Sequence, residues 1–368
     1  MTTITRMPKK KTTQAAAEDQ IQSYLEKNKE DHFNFEETVD YKVSSGSLLL
    51  DIEMNGGVRP GIVRMSGASG AGKTSCVLSF AKNFQDSIAD SKVVYIKSEG
   101  RLGEEIKARS GLDFSDEKWF EYKCNIYESV IGLIRELVMY NDKNRKYFFI
   151  IDSMDALIPR NDVEKPFEEA NKVAGAALLT STFLKRMALA FSSKGHVCAL
   201  VSQVRSTVSI NPYQRTDPKL TNASGGNAAL HYSDWILEFQ KPNKMDHFFK
   251  KEKGKDVTIG HNCKVIFRKT PNEKTNTEVL YPIKHGRKDA TSVWVEREVK
   301  DMLLMWELAS SKGAWISIDD DLIKELSAEK LEFQKQHQGE EKFCKYLEEN
   351  PKITEYLFNK FKDVLKKG

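Results

Sequence analysis

The stretch Gly67-Ala68-Ser69-Gly70-Ala71-Gly72-Lys73-Thr74 decides the fold of this chain. A short β-rich apolar run, Ile62 to Met65, leads into it, and a helical stretch from Ser75 to Lys82 leaves it. Glycines let backbone N–H groups approach phosphate oxygens, Lys73 can reach the β and γ phosphates, and the Thr74 hydroxyl can bind Mg²⁺. The following helix turns its N-terminus to the same anion. Gly67 through Thr74, together with Ser75, are therefore the expected ATP contacts. A chance glycine-rich turn is the competing reading, and the full spacing between a strand and a helix argues against it.

Working outward, three more β-rich runs follow in order: Val93 to Ile96, Tyr147 to Ile151 and Val197 to Val201, with helical stretches between them. That alternation predicts an α/β fold with a mainly parallel sheet flanked by helices. The runs end at Glu99, at Asp152-Ser153 and at Ser202-Gln203. In open α/β sheets the ligand crevice lies beyond the carboxyl ends of the strands, so these endings are expected to share one site. Asp152 would join Thr74 in holding Mg²⁺. Glu99 would orient or deprotonate an attacking water. Gln203 would report the γ-phosphate through its neutral amide. Lys73, Glu99 and Gln203 form the expected catalytic set, although each strand-end residue alone is ordinary.

Beyond Gln203 the chain is polar and aperiodic to Gly226, and a loop of that length in a compact core is functional or disordered. β-like segments return at Trp235 to Gln240, Lys264 to Lys269 and Val279 to Ile283, and from about Met302 the sequence turns helical and lysine-rich. Upstream, residues 1–12 read as disordered. Ala15, Ala16, Ile21, Tyr24 and Leu25 have helical spacing, and residues 34–42 fit one extended strand. One helix and one strand bury little apolar surface alone, so the core or another subunit must cover them. The expected organisation is an arm (1–42), a core (43–285) and a small α/β C-terminal module (286–368).

Composition narrows the class. The chain has 368 residues, 40% of them hydrophobic and 30% charged, with a net charge of +4. No run approaches the roughly 20 apolar residues of a membrane span, and the lysine-bearing start lacks the apolar stretch of a secretory signal. The five cysteines have no paired spacing, which speaks against zinc and fits a reducing compartment. Two basic runs, at Pro8 to Lys11 and Lys241 to Lys255, read equally as solvated segments or phosphate-binding ones.

These elements, with Ser44-Ser45-Gly46-Ser47-Leu48-Leu49-Leu50-Asp51 before the phosphate loop and Gly225-Gly226-Asn227-Ala228 after the polar loop, resemble the RecA family of recombinases. The likeness runs from about Ser44 to Asp234 and more faintly into the C-terminus, at Gly313-Ala314-Trp315 and Tyr346 to Pro351. The phosphate loop is shared by many NTPases. The combination of Val201-Ser202-Gln203-Val204-Arg205 with the Gly225-Gly226-Asn227 turn is much more specific.

The resemblance implies a RecA-type P-loop ATPase core, ATP and Mg²⁺ as cofactors, and DNA-dependent hydrolysis. It implies a helical filament on single-stranded DNA that pairs with homologous duplex DNA and exchanges strands. Residues 160–173 would be the first DNA-binding loop and 205–227 the second. Lys172, Lys185 and Arg205 would meet DNA phosphates, and Gly225, Gly226 and Asn227 would offer backbone donors. Val208 or Ile210 would wedge between bases. Lys172 and Lys185 read equally as plain helix-surface charge. The arm would dock on a neighbouring subunit, and a head-to-tail contact that does not close builds a filament. Lys269, with Arg268 beside it, would reach the neighbour's ATP. Loading and single-strand-binding proteins would be further partners, in the cytoplasm at the nucleoid.

The sequence also departs from the bacterial pattern. Gly103 lies where an acid is expected, Ile106 where an adenine-stacking tyrosine would be, and His231 at a usually aromatic position. Phe267-Arg268-Lys269 keeps part of a two-lysine pattern, the second loop is longer, and Lys366-Lys367-Gly368 replaces an acidic tail. These features look like a divergent phage recombinase of the T-even type, which would place it in an infected bacterial cell. A ring-forming helicase, a non-catalytic filament scaffold and an accessory paralogue remain alternatives. Lys312, Lys342, Lys345, Lys352, Lys360 and Lys362 fit either duplex binding or a solvated helical surface.

Overall fold

The computed structural model describes residues 13–37, 39–100, 102–141, 143–163, 174–203, 226–288 and 290–367. After an N-terminal helix α1 (Thr13–Lys27) and a short α2 (Leu48–Glu53), the order is β1 (Gly61–Gly67), α3 (Lys73–Ser87), β2 (Ser91–Lys97), α4 (Glu104–Ser110), β3 (Trp119–Lys123), α5 (Tyr127–Met139) and β4 (Lys146–Asp152). Then come α6 (Arg160–Val163), α7 (Ala174–Lys194), β5 (Val197–Gln203), α8 (Gly226–Tyr232), β6 (Trp235–Gln240), β7 (His247–Glu252), β8 (Lys255–Lys269) and β9 (Glu278–Lys284). These strands make one sheet in the order β3-β2-β4-β5-β1-β6-β8-β7, with β9 also on β8. From β3 to β6 every pairing is parallel, whereas β7, β8 and β9 run antiparallel.

Successive strand side chains point to opposite faces, and here both faces are apolar. Val63, Met65, Val93, Phe148 and Ile150 pack with α3 residues such as Val77, Phe80 and Phe84. Their neighbours Ile62, Val94, Phe149 and Ile151 pack on the other face with Val130, Ile134, Leu184 and Phe191 from α5 and α7. A sheet sandwiched this way leaves its strand ends as the exposed polar surface, which is where ligand chemistry can sit.

Two strands were not legible from hydropathy. β3 is a half-polar edge strand, Trp-Phe-Glu-Tyr-Lys, paired on one side to β2. β7 lies inside the basic run Lys241 to Lys255 and forms a ribbon with β8, joined at Lys253 and Gly254, which have φ of 49° and 77°. Positive φ at both turn residues matches the right-handed twist of the flanking strands.

Among its described residues, the segment expected as an arm strand forms none within this chain. Residues 34–37 and 39–42 carry no regular structure apart from turns, because a strand needs a partner to satisfy its backbone. Part of the segment docks on its own core instead. Tyr41 Oη donates to the Gly195 carbonyl at 2.9 Å, Glu36 pairs with Lys194 at 2.7 Å, and Phe33 packs against the α5–α7 cluster. Gly195, at φ 72°, has no room for a side chain there, since a Cβ would lie 2.7 Å from Val39. Ile21 and Tyr24 on α1 remain 61% and 67% exposed.

The C-terminal part comprises α9 (Val295–Met305), β10 (Ala309–Lys312), β11 (Trp315–Ile318), α10 (Asp320–Ala328), β12 (Gln336–Gln338), α11 (Gly339–Glu349) and α12 (Pro351–Lys367). A three-stranded antiparallel sheet, β10-β11-β12, and these helices enclose a separate apolar cluster that includes Val299, Leu303, Phe343, Leu357 and Phe361. Leu48 of α2 belongs to that cluster, so α2 bridges the two cores. Beside it, the buried Glu298 accepts from Ser47 Oγ at 2.5 Å and from Leu48 N at 2.8 Å.

Candidate nucleotide site

Parallel pairing in register carries the strand ends to one edge. Gly67 of β1 sits opposite Gln203 of β5, and Lys97 of β2 opposite Asp152 of β4. A cleft of about 490 Å³ opens there, lined by Ser69, Thr74, Glu99, Asp152 and Gln203 among others. That volume is within the ordinary range for a small-molecule site.

The phosphate loop owes its shape to glycine. Gly67 has φ 144°, and a Cβ there would stand 2.2 Å from the Phe239 carbonyl of β6. Gly72, at φ 101°, is the left-handed residue that starts α3. Lys73 is buried, and its ammonium donates to the Gly67 and Ala68 carbonyls at 2.8 Å each. Burial pulls the Lys73 pKa below its ordinary value, and the carboxylates of Asp152, Asp155 and Glu99 oppose that shift.

Asp152 is the hub of the metal end. Its Oδ2 accepts from Thr74 Oγ1 at 3.1 Å and from Tyr95 Oη at 3.0 Å. Burial raises the Asp152 pKa above the usual carboxylate value, the two hydroxyl donors pull it back, and nearby Glu99 raises it further. A hydroxyl beside a carboxylate is a hard oxygen donor set, which suits Mg²⁺. Thr74 and Asp152 thus meet at this edge.

Gln203 joins the remaining pieces. Its side-chain Nε2 donates to Glu99 Oε1 at 3.3 Å, and its backbone N–H donates to Asp155 Oδ2 at 2.6 Å. Ser98 Oγ donates to the Ser153 carbonyl at 2.7 Å and ties the ends of β2 and β4 together. Tyr95 and Asp155 also make contacts at this edge, and the sequence did not single them out. Tyr95 lies inside an apolar strand and looked like core, and Asp155 sits three residues past a strand end with no motif to mark it.

The family model of the RecA N-terminal domain matches residues 18–283. The chain belongs to the RecA family. Proteins named Protein RecA from Crocosphaera subtropica and Rippkaea orientalis are 26% and 24% identical over 333 residues, covering 89% of this chain and 83% of each relative. Protein RecA of Petrotoga mobilis is 25% identical over 324 residues, covering 86% of this chain and 77% of the relative.

The other expected site residues of this RecA-family chain are distributed differently. Lys185 is exposed on α7. Gly226 and Asn227 open α8. Lys172, Arg205, Val208, Ile210 and Gly225 lie outside the described residues. Arg268 makes a two-bond ion pair, at 2.7 and 3.2 Å, with Glu238, which is only 3% exposed. Lys269 donates to the Leu230 and His231 carbonyls at the end of α8, at 3.0 and 2.7 Å. Both cations are therefore engaged within their own chain. Ile106 lines the nucleotide cleft, and Tyr281, Ile283 and His285 line it too.

Among the described residues no helix is long and apolar enough to cross a membrane, and no group of three or more His, Cys, Asp or Glu could hold a metal. Thr74 and Asp152 would offer two protein ligands to an ion that takes its others from phosphate and water.

Proposed function

We propose that this chain is an ATP-dependent recombination protein that forms a filament on single-stranded DNA, pairs it with homologous duplex DNA and exchanges strands. Membership of the RecA family supports the general role in recombination and DNA repair. The observation that carries the finer reading is the Gln203–Glu99 contact, made at the residue where β5 runs into the polar loop.

In this reading Mg²⁺, when bound, offsets the charge that gathers on the phosphates during transfer. The chain's own residues do the rest. Thr74 and Asp152 would hold the ion, and Tyr95 fixes the Asp152 carboxylate. The Lys73 ammonium, which rests on loop carbonyls, exchanges them for phosphate oxygens. Glu99 orients the attacking water and takes its proton. Gln203 either bonds Glu99 or turns its amide to the γ-phosphate, so the entrance of the second loop differs between the two nucleotide states. Lys172, Lys185, Arg205 and the start of α8 are proposed to meet the DNA backbone, with Val208 or Ile210 between bases. Arg268 and Lys269 are proposed to act at the neighbouring subunit's ATP. Because Lys269 also holds the end of α8, such a contact would couple that ATP to the helix emerging from the second loop.

The test is strand exchange between a circular single strand and a homologous linear duplex, comparing the native chain with Lys73→Ala. Joint molecules are expected from the first and none from the second. Equal yields would overturn the reading. Closed six-membered rings without filaments in electron micrographs would favour a helicase, and ATP turnover indifferent to single-stranded DNA would favour a scaffold.

A further inference from the structure

The end of the cleft away from the phosphate loop has its own chemistry. Its apolar walls include Ile106 and Ile283, and its polar wall is made by Arg109 of α4, His261 of β8 and His285 just after β9. Strand pairing sets the histidines side by side. His261 is opposite Ile283 on one side and His247 of β7 on the other. His261 Nδ1 and His285 Nε2 are 2.9 Å apart, and the rings of His247 and His261 are 5.9 Å apart. Arg109 Nε is buried with no hydrogen-bond partner among the described residues. A buried donor left unpaired is costly, so a ligand acceptor there would be favoured.

The tautomers follow from the contacts. The Thr258 backbone favours a proton on the His285 ring. Its Nε2 faces His261, and with that proton carried on Nδ1 the Nε2 is left as an acceptor. His261 Nδ1–H then fills that acceptor, and His261 Nε2 is left unprotonated on a ring that lines the cleft. The wall therefore presents a donor, Arg109 Nε–H, and an acceptor, His261 Nε2.

We propose that Arg109 and the His261–His285 pair read the edge of the nucleotide base and select adenine over guanine. This rests on the ATP-site reading above. Adenine offers the N7 acceptor and the N6 amino donor along one edge, whereas guanine offers two acceptors, N7 and O6. The Arg109 donor suits N7 of either base. The His261 acceptor suits only the amino group of adenine and opposes the lone pairs of guanine O6. The base is thus held by its edge, with Ile106 and Ile283 against its faces in place of an aromatic stack.

Burial is the main cause that lowers the pKa of both rings; His285 and His247 lower that of His261 further against the opposing Asp246, and His247 and Arg109 lower that of His285 against the opposing Thr258 backbone. The groups facing the pair are His247 and Asp246 from the β7 side and Arg109 from α4. The acceptor therefore survives below the ordinary imidazole range, and protonation of His261 below that converts it to a donor.

The experiment is displacement of a fluorescent ATP analogue from the full chain by ATP, GTP and inorganic tripolyphosphate. The native chain should prefer ATP over GTP by about tenfold or more, the worth of a matched base-edge pair. Arg109→Gln should weaken ATP and leave tripolyphosphate unchanged. His261→Leu should bring ATP and GTP within about twofold, and acidifying the native chain should shrink the preference in the same way. Equal native affinities for ATP and GTP, or a preference that survives His261→Leu, would overturn the proposal. Lys73→Ala should weaken all three ligands alike. If it weakens none, the ATP-site reading fails and the base-edge proposal falls with it.

Discussion

Gln203 donates through Nε2 to Glu99 Oε1 across 3.3 Å, joining the ends of two strands, β5 and β2, that β4 separates in the sheet. In the proposed reading the contact puts a neutral amide on the group that would activate water, at the last residue of β5 before the polar loop. Replacing Gln203 with Ala should leave basal ATP turnover within about fivefold of native, since one exposed hydrogen bond is lost, while stimulation by single-stranded DNA disappears. Glu99→Gln should instead lower turnover by roughly 100-fold, the scale of general-base catalysis, with ATP binding retained. Steady-state hydrolysis with and without DNA distinguishes them, and a Gln203→Ala chain still stimulated by DNA would refute the coupling.

Tyr95 holds Asp152 Oδ2 at 3.0 Å, the same oxygen that Thr74 contacts. Tyr95→Phe removes one buried donor and little volume. The expected cost is about 1 kcal/mol, seen as a roughly fivefold rise in the Mg²⁺ concentration for half-maximal hydrolysis. A Mg²⁺ titration unchanged in midpoint would show that Tyr95 is only packing.

Lys269 caps α8 through the Leu230 and His231 carbonyls. A cation at a helix C-terminus satisfies orphan acceptors and complements the helix dipole. Lys269→Met should therefore speed amide exchange across residues 226–232 by about tenfold, corresponding to the loss of a charge-assisted bond. DNA-stimulated turnover should fall more than basal turnover. Unchanged exchange in that helix would mean the cap carries no weight.

Glu298 gives a pH prediction for the joint between the two cores. Burial pushes its pKa up to about 8, while the donors Ser47 Oγ and Leu48 N pull it down. A folded pKa above the unfolded one means that the folded state binds the proton more tightly. The stability this group contributes is whole below its ordinary value of 4.5 and drains away as pH rises towards about 8. The thermal stability of the native chain should therefore fall with rising pH across that window, and Glu298→Gln should flatten the dependence. Equal slopes for the two chains would exclude Glu298 as the titrating group.

Much of this site was legible because its residues sit where chain pattern and chemistry coincide. The loop Gly67 to Thr74 fixes its own conformation through its glycines, and Glu99, Asp152 and Gln203 each follow an apolar run closely enough to be read as strand ends. Parallel strands then bring those ends to one edge whatever their order. The arm segment 34–42 pairs with no strand of its own chain among the described residues, because alternation reports a two-faced segment and pairing depends on a neighbour that the local sequence does not contain.

The sequence by itself determined the phosphate loop, the α/β class and the identity of the strand-end acids and amide, since each depends on residues adjacent along the chain. Only the tertiary structure decided that Tyr95 steadies Asp152, that Asp155 holds the Gln203 backbone, that Lys269 ties down α8 and that His261 meets His285. Those partners lie 57, 48, 38 and 24 residues apart. Strand order and register bring them within hydrogen-bonding distance, and no local periodicity encodes either.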